Sequence, residues 1–172
     1  MAITYTSGEQ VEVYRFSIPA TVLIPLAAIF LQAWLPVRFS FFNIFNLPLL
    51  VVIGFATARR NPLAGLLTGG LIGILQDALT KQPIGLYGIS MTVVGFGASS
   101  LGVKLDVENA GARFLLTMFF YVVHEVVYFV VGRGLVGLRM QWSWPHEVLS
   151  CVSNAVLGVL IFILLDRVKQ RT

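Results

Sequence analysis

The chain has 172 residues, of which 57% are hydrophobic and only 12% charged, with a formal net charge of +4 and one cysteine. A soluble domain carries roughly 25% charged residues, so most of this surface must face an apolar medium, and a bilayer is the simplest one. The basic residues are scattered over short segments, which excludes a nucleic-acid groove. The lone Cys151, set in an apolar run, excludes internal disulfides and a cysteine metal cluster.

The first fifteen residues, Met1 to Arg15, are polar and carry Glu9, Glu12 and Arg15. The apolar run that starts at Phe16 lacks a small-x-small cleavage pattern, so it reads as a retained first helix with Pro19 and Pro25 inside it. A spanning helix needs about 20 predominantly apolar residues. Six segments approach that length: Phe16–Leu35, Phe41–Ala58, Pro62–Leu79, Ile84–Val103, Phe114–Val131 and Val148–Leu165. The second is weakest, because Asn43, Asn46 and Pro48 interrupt its start. A helix from Leu47 to Ala58 alone would be about 18 Å long, too short to cross, with a re-entrant or interfacial piece around Phe39, Phe41 and Phe42 before it. The expected architecture is an all-α integral membrane protein of about six helices joined by short loops. It divides into an N-terminal segment (1–15), a transmembrane domain (16–166) and a basic tail (167–172).

Orientation follows from lysine and arginine in the short loops. With the N-terminus inside, the inner set is Arg15, Arg59, Arg60, Lys104, Arg113, Arg167, Lys169 and Arg171, and the outer set is Arg38, Lys81, Arg133 and Arg139. Eight against four favours both ends in the cytoplasm, with Trp34, Trp142 and Trp144 at the outer interface.

Small residues mark helix contact faces in lipid. The third segment carries Gly65, Gly69 and Gly73 at steps of four, and the next step reaches Asp77. The fourth carries Gly88, Thr92, Gly95, Ser99 and Gly102 in steps of four and three, which keeps one seam facing a partner. These faces serve either to pack the third helix on the fourth or to dock a partner's transmembrane helix. Asp77 has Lys81 one turn later. An acid at a helix C-terminal end is electrostatically unfavourable, so the expectation is a loop-organising role with backbone N–H groups through Gln82 and Pro83 or at the start of the fourth helix.

In the fifth segment Glu125 falls about 17 Å along the helix from Phe114, near mid-bilayer. With Tyr121, His124 and Tyr128 at spacings of three and four it forms one expected polar patch. A charged carboxylate there costs about 2.5–3.5 kcal/mol to insert, so it must face the interior or a partner, or be protonated. Three readings stand: a hydrogen-bond lock with Asn154 or Gln76, a binding or proton-linked site, or an anchor for a partner helix. No catalytic constellation is recognisable, since Ser90, Ser153 and His124 lack a nucleophile turn, and His124, Glu125 and His146 make a weak metal set. The expectation is a non-enzymatic protein with no metal and no cofactor.

The stretch from Ala58 to Gly88 runs Ala-Arg-Arg-Asn-Pro, then the glycine helix ending in Gly73-x-x-x-Asp77, then Pro83, Gly85, Leu86 and Gly88. It resembles the rod shape-determining MreD family, in which a basic turn, here Arg59 and Arg60, precedes a glycine-rich helix. By helix order the resemblance covers Phe41 to Arg167. The chain departs from it at Leu47-Pro48-Leu49, where the family often has Pro-Asp. The resemblance implies a bacterial inner-membrane adaptor of the cell-elongation complex that partners an MreC-like protein. It also implies work beside the RodA glycosyltransferase, a class B penicillin-binding transpeptidase and MreB filaments to direct lateral peptidoglycan synthesis, in contact with membrane lipid and without nucleic acid. The family's bundle also resembles the six-helix substrate-binding subunits of energy-coupling-factor transporters. That likeness supplies the alternative reading, a small-molecule-binding subunit with an enclosed pocket lined by Tyr121, Glu125 and Tyr128.

Overall fold

The computed structural model describes residues 14–102 and 109–171. Most of the polar leader 1–15, together with Val103, Lys104 and Thr172, lies outside the described residues. Within them the chain folds into six helices: α1 (Ile18–Arg38), α2 (Leu47–Arg59), α3 (Pro62–Thr80), α4 (Leu86–Gly102), α5 (Ala110–Gly134) and α6 (Trp144–Asp166). Each expected segment is present, with ends displaced by a few residues. Four of the helices, α1, α3, α5 and α6, are long and apolar enough to cross a membrane, while α2 and α4 are shorter.

Local sequence explains most of the ends. Asn46 and Asn61 each place a side-chain oxygen on backbone N–H groups of the turn that follows, and proline comes at the first helical positions of α2, α3 and α6. α2 and α3 end on Arg60 and Lys81, both left-handed at φ 50° and 57°. α1 runs unbroken through Pro25 and Pro36. A five-residue 3-10 turn, Ser40–Ile44, then leads into α2.

The short α2 is the centre of the bundle. All ten residues from Pro48 to Thr57 are buried, and α1, α3, α4, α5 and α6 all pack on it. About 20 Å of helix cannot span a hydrocarbon core of about 30 Å, but a helix wrapped in protein has no lipid to match. Outside it, apolar side chains such as Phe30, Leu71, Phe119 and Leu160 are exposed, as a lipid-facing surface requires.

The first and last described segments meet. Residues Tyr14–Phe16 (β1) and Lys169–Arg171 (β2) pair antiparallel, with Phe16 opposite Lys169. This short ribbon lies across the expected boundary at 15 on one side and within the expected basic tail (167–172) on the other. Phe16 is buried, its ring 4.4 Å from that of Phe55. At this terminal end Arg113 also bonds Asp166 at 2.7 Å and Arg59 donates to Thr21 at 2.9 Å. The opposite, distal end carries Arg38, Lys81 and the rings of Phe129, Trp142 and Trp144, whose successive centroids lie 5.4 and 5.6 Å apart.

Candidate functional site

The glycine faces of α3 and α4 turn toward each other. A Cβ added at Gly65 would strike the Gly95 carbonyl and the Ser99 hydroxyl, and one at Gly69 would strike the Met91 carbonyl. At Gly73 it would meet the Tyr87 carbonyl, and at Gly95 the Gly65 carbonyl. Gly88 is filled from the other side by Ile74, while the half-buried Thr92 turns its hydroxyl back to the Gly88 carbonyl at 2.7 Å. Backbone therefore lies against backbone along the whole seam, the most extensive helix pair in the bundle. A partner helix could reach these glycines only by displacing α3 or α4.

Asp77 closes the seam. Its Oδ2 accepts from the N–H groups of Gly85 at 2.9 Å and Gly88 at 3.2 Å, and its Oδ1 from Tyr87 at 2.9 Å. These are donors at the start of α4 that no intrahelical carbonyl can reach. A carboxylate beside the positive end of a helix is electrostatically favoured, so the acid lies at the C-terminus of its own helix and the N-terminus of the next. No ion pair with Lys81 forms: Asp77 is fully buried and Lys81 is exposed. Gly85, at φ +100°, turns the chain so that these three N–H groups converge.

A second polar cluster sits where α2 begins inside the bundle. The Asn46 N–H donates to Asn154 Oδ1 at 2.8 Å, and Asn154 Nδ2 donates to the Ile44 carbonyl at 2.6 Å and the Ser150 carbonyl at 2.8 Å. Gln32 of α1 accepts from the Leu47 N–H at 3.0 Å. Irregular backbone at membrane depth survives only where protein satisfies its polar groups, and here α1 and α6 supply them. Asn154 thus bonds the helix break, so of the two lock partners expected for Glu125, Asn154 or Gln76, the first is engaged with Asn46 instead. The pattern Asn46-Leu47-Pro48 signals the cap of α2, but no local signal names Asn154, 108 positions away.

The polar patch expected on α5 divides in two. His124 is fully buried; its Nε2 lies 3.2 Å from Asn46 Nδ2, and its ring is stacked on Tyr87 at 5.6 Å. Tyr128 packs on the same Tyr87 at 4.8 Å. With Asn46 donating to Nε2 the imidazole is neutral, so the 3.9 Å approach of Glu125 Oε1 to that nitrogen is no ion pair. Tyr121 and Glu125 instead line a cleft of about 500 Å³ at the distal end, together with Gln32 and Val37 of α1, Asn43, Asn46, Gln76, Lys81 and Tyr87. Tyr128 is not part of that lining. Neighbours in sequence on a helix point about 100° apart, which sends His124 inward and Glu125 to the cleft. Among the described residues no group of three or more His, Cys, Asp or Glu side chains could hold a metal ion.

No curated protein and no solved structure matches the chain. The sequence model of one family, described as rod shape-determining protein MreD, matches residues 12–168. With a match over nearly its whole length, joined to a bundle of apolar helices built on the Arg59 to Gly88 segment, the chain belongs to the MreD family of rod shape-determining membrane proteins.

Proposed function

We propose that the chain is a non-enzymatic adaptor of the bacterial cell-elongation complex, seated in the inner (cytoplasmic) membrane with both ends inside. There it holds an MreC-like protein and helps direct lateral peptidoglycan synthesis beside RodA, a class B transpeptidase and MreB. Family membership is the observation that carries this reading. The use of the depth-placed polar groups supports it. Asp77, Asn46 and Asn154 are engaged in holding the bundle's own backbone, which suits a rigid scaffold. Since the small-residue seams are internal, the partner contact falls on outward apolar faces, such as Leu115, Phe119, Val122, Val126 and Val130 along α5.

The test is site-directed crosslinking in native membranes. Single cysteines are placed on the exposed faces of α1, α5 and α6 in a Cys151→Ser background. An MreC-like protein crosslinked from one contiguous face is the expected outcome. Its absence from every face, with the chain properly inserted, overturns the adaptor reading.

A further inference from the structure

The distal cleft separates two unlike charges. Glu125 lies in its wall with its side chain 22% exposed, and the exposed Lys81 belongs to the same lining. Lys81 makes no ion pair among the described residues, and Glu125 meets no cation there: its neighbours are the Tyr121 hydroxyl and the neutral His124. Between them the lining is otherwise uncharged. Gln76, 1% exposed, also lines the cleft, and its buried Oε1 has no hydrogen-bond partner. A buried acceptor without a donor is unfavourable, so the Gln76 oxygen calls for one beside the Glu125 carboxylate. One wall is apolar, formed by Pro36 and Val37, and Val37 is 87% exposed on the outside of α1. The volume, about 500 Å³, is within the ordinary range for small-ligand sites.

We propose that this cleft binds a zwitterion carrying a primary ammonium and an anionic phosphate. The ammonium donates to Glu125 and Gln76, and the phosphate faces Lys81. The apolar wall of α1, running out to the lipid-facing surface, marks an aminophospholipid headgroup as the natural source, with its acyl chains along Val37. A free phosphoethanolamine carries the same chemistry.

The experiment offers the detergent-purified full chain equal amounts of phosphatidylethanolamine and phosphatidylcholine, and reads retained lipid by native mass spectrometry. A separate arm measures binding of free phosphoethanolamine. A trimethylated ammonium cannot donate a hydrogen bond, so at least a tenfold preference for phosphatidylethanolamine is expected. Glu125→Gln and Lys81→Ala should each lower its retention about tenfold. Val37→Trp, an exposed substitution that leaves the core alone, should narrow the cleft and do the same. Phosphoethanolamine bound with the same residue dependence, without retained lipid, supports the zwitterion site with a free source. Measurable but equal retention of the two lipids, binding in neither arm, or Glu125→Gln binding like the parent chain in both arms, overturns the proposal.

Discussion

Asp77 Oδ1 accepts the backbone N–H of Tyr87 at 2.9 Å, so the last turns of one membrane helix supply the N-terminal cap of the next. With Gly85 and Gly88 on the second oxygen, three otherwise unmatched donors converge on one buried carboxylate. Asp77→Asn halves the acceptor capacity and turns an NH₂ group toward N–H donors. A loss of about 1–3 kcal/mol follows, read as a lowered Tm in detergent micelles. Lys81→Ala should leave Tm unchanged, and an equal fall in both variants would contradict the capping account.

Gly85 stands at φ +100° with nothing within 4 Å of where a Cβ would be placed. Gly85→Ala therefore meets no neighbour and is destabilising through backbone strain alone, by about 1 kcal/mol. Thermal unfolding should show this loss. It should also be smaller in an Asp77→Ala background, where the turn no longer serves a carboxylate.

At Gly69 even one methyl group collides with the Met91 carbonyl, which is backbone and cannot rotate aside. Gly69→Ala should cost about 3 kcal/mol, the upper range for overpacking, and Gly69→Leu should leave little folded protein. Gly134→Ala has nothing within 4 Å and serves as the neutral control. Size-exclusion profiles and Tm separate the two. A monodisperse Gly69→Leu protein of unchanged Tm would show that the α3–α4 seam is not close-packed.

The backbone N–H of Asn46 donates to Asn154 Oδ1 at 2.8 Å across 108 residues, and the Asn46 side chain meets His124 Nε2 at 3.2 Å. Polar contacts between membrane helices couple by about 0.6 kcal/mol on average and 1.7 at most. The buried side-chain pair of Asn46 and His124 should fall toward the upper figure. A double-mutant cycle of Asn46→Ala and His124→Ala, read by thermal unfolding, should give about 1 kcal/mol or more. Strict additivity would mean that the break before α2 is held by other contacts.

The amino-acid sequence by itself determined the medium, the six apolar segments and most of their ends, because these depend on neighbours within one turn. Asn61-Pro62 starts a helix wherever it is placed, and a run such as Val148–Leu165 is apolar in any context. The four-residue steps from Gly65 to Asp77 also marked a close-contact face and an acid in need of backbone donors. What covers that face was decided only in three dimensions. In lipid an apolar helix surface is equally content against acyl chains or another helix, so periodicity cannot tell a lipid-facing stripe from a packed one. The tertiary structure laid Gly69 on Met91, enclosed the short α2 and paired Asn46 with Asn154. It also parted His124 from Glu125 and gathered Val37, Gln76 and Lys81 around one cleft. Apart from the parting of His124 and Glu125, each of these relationships joins segments distant in the sequence, and the backbone groups at the break before α2 find their partners only in that way.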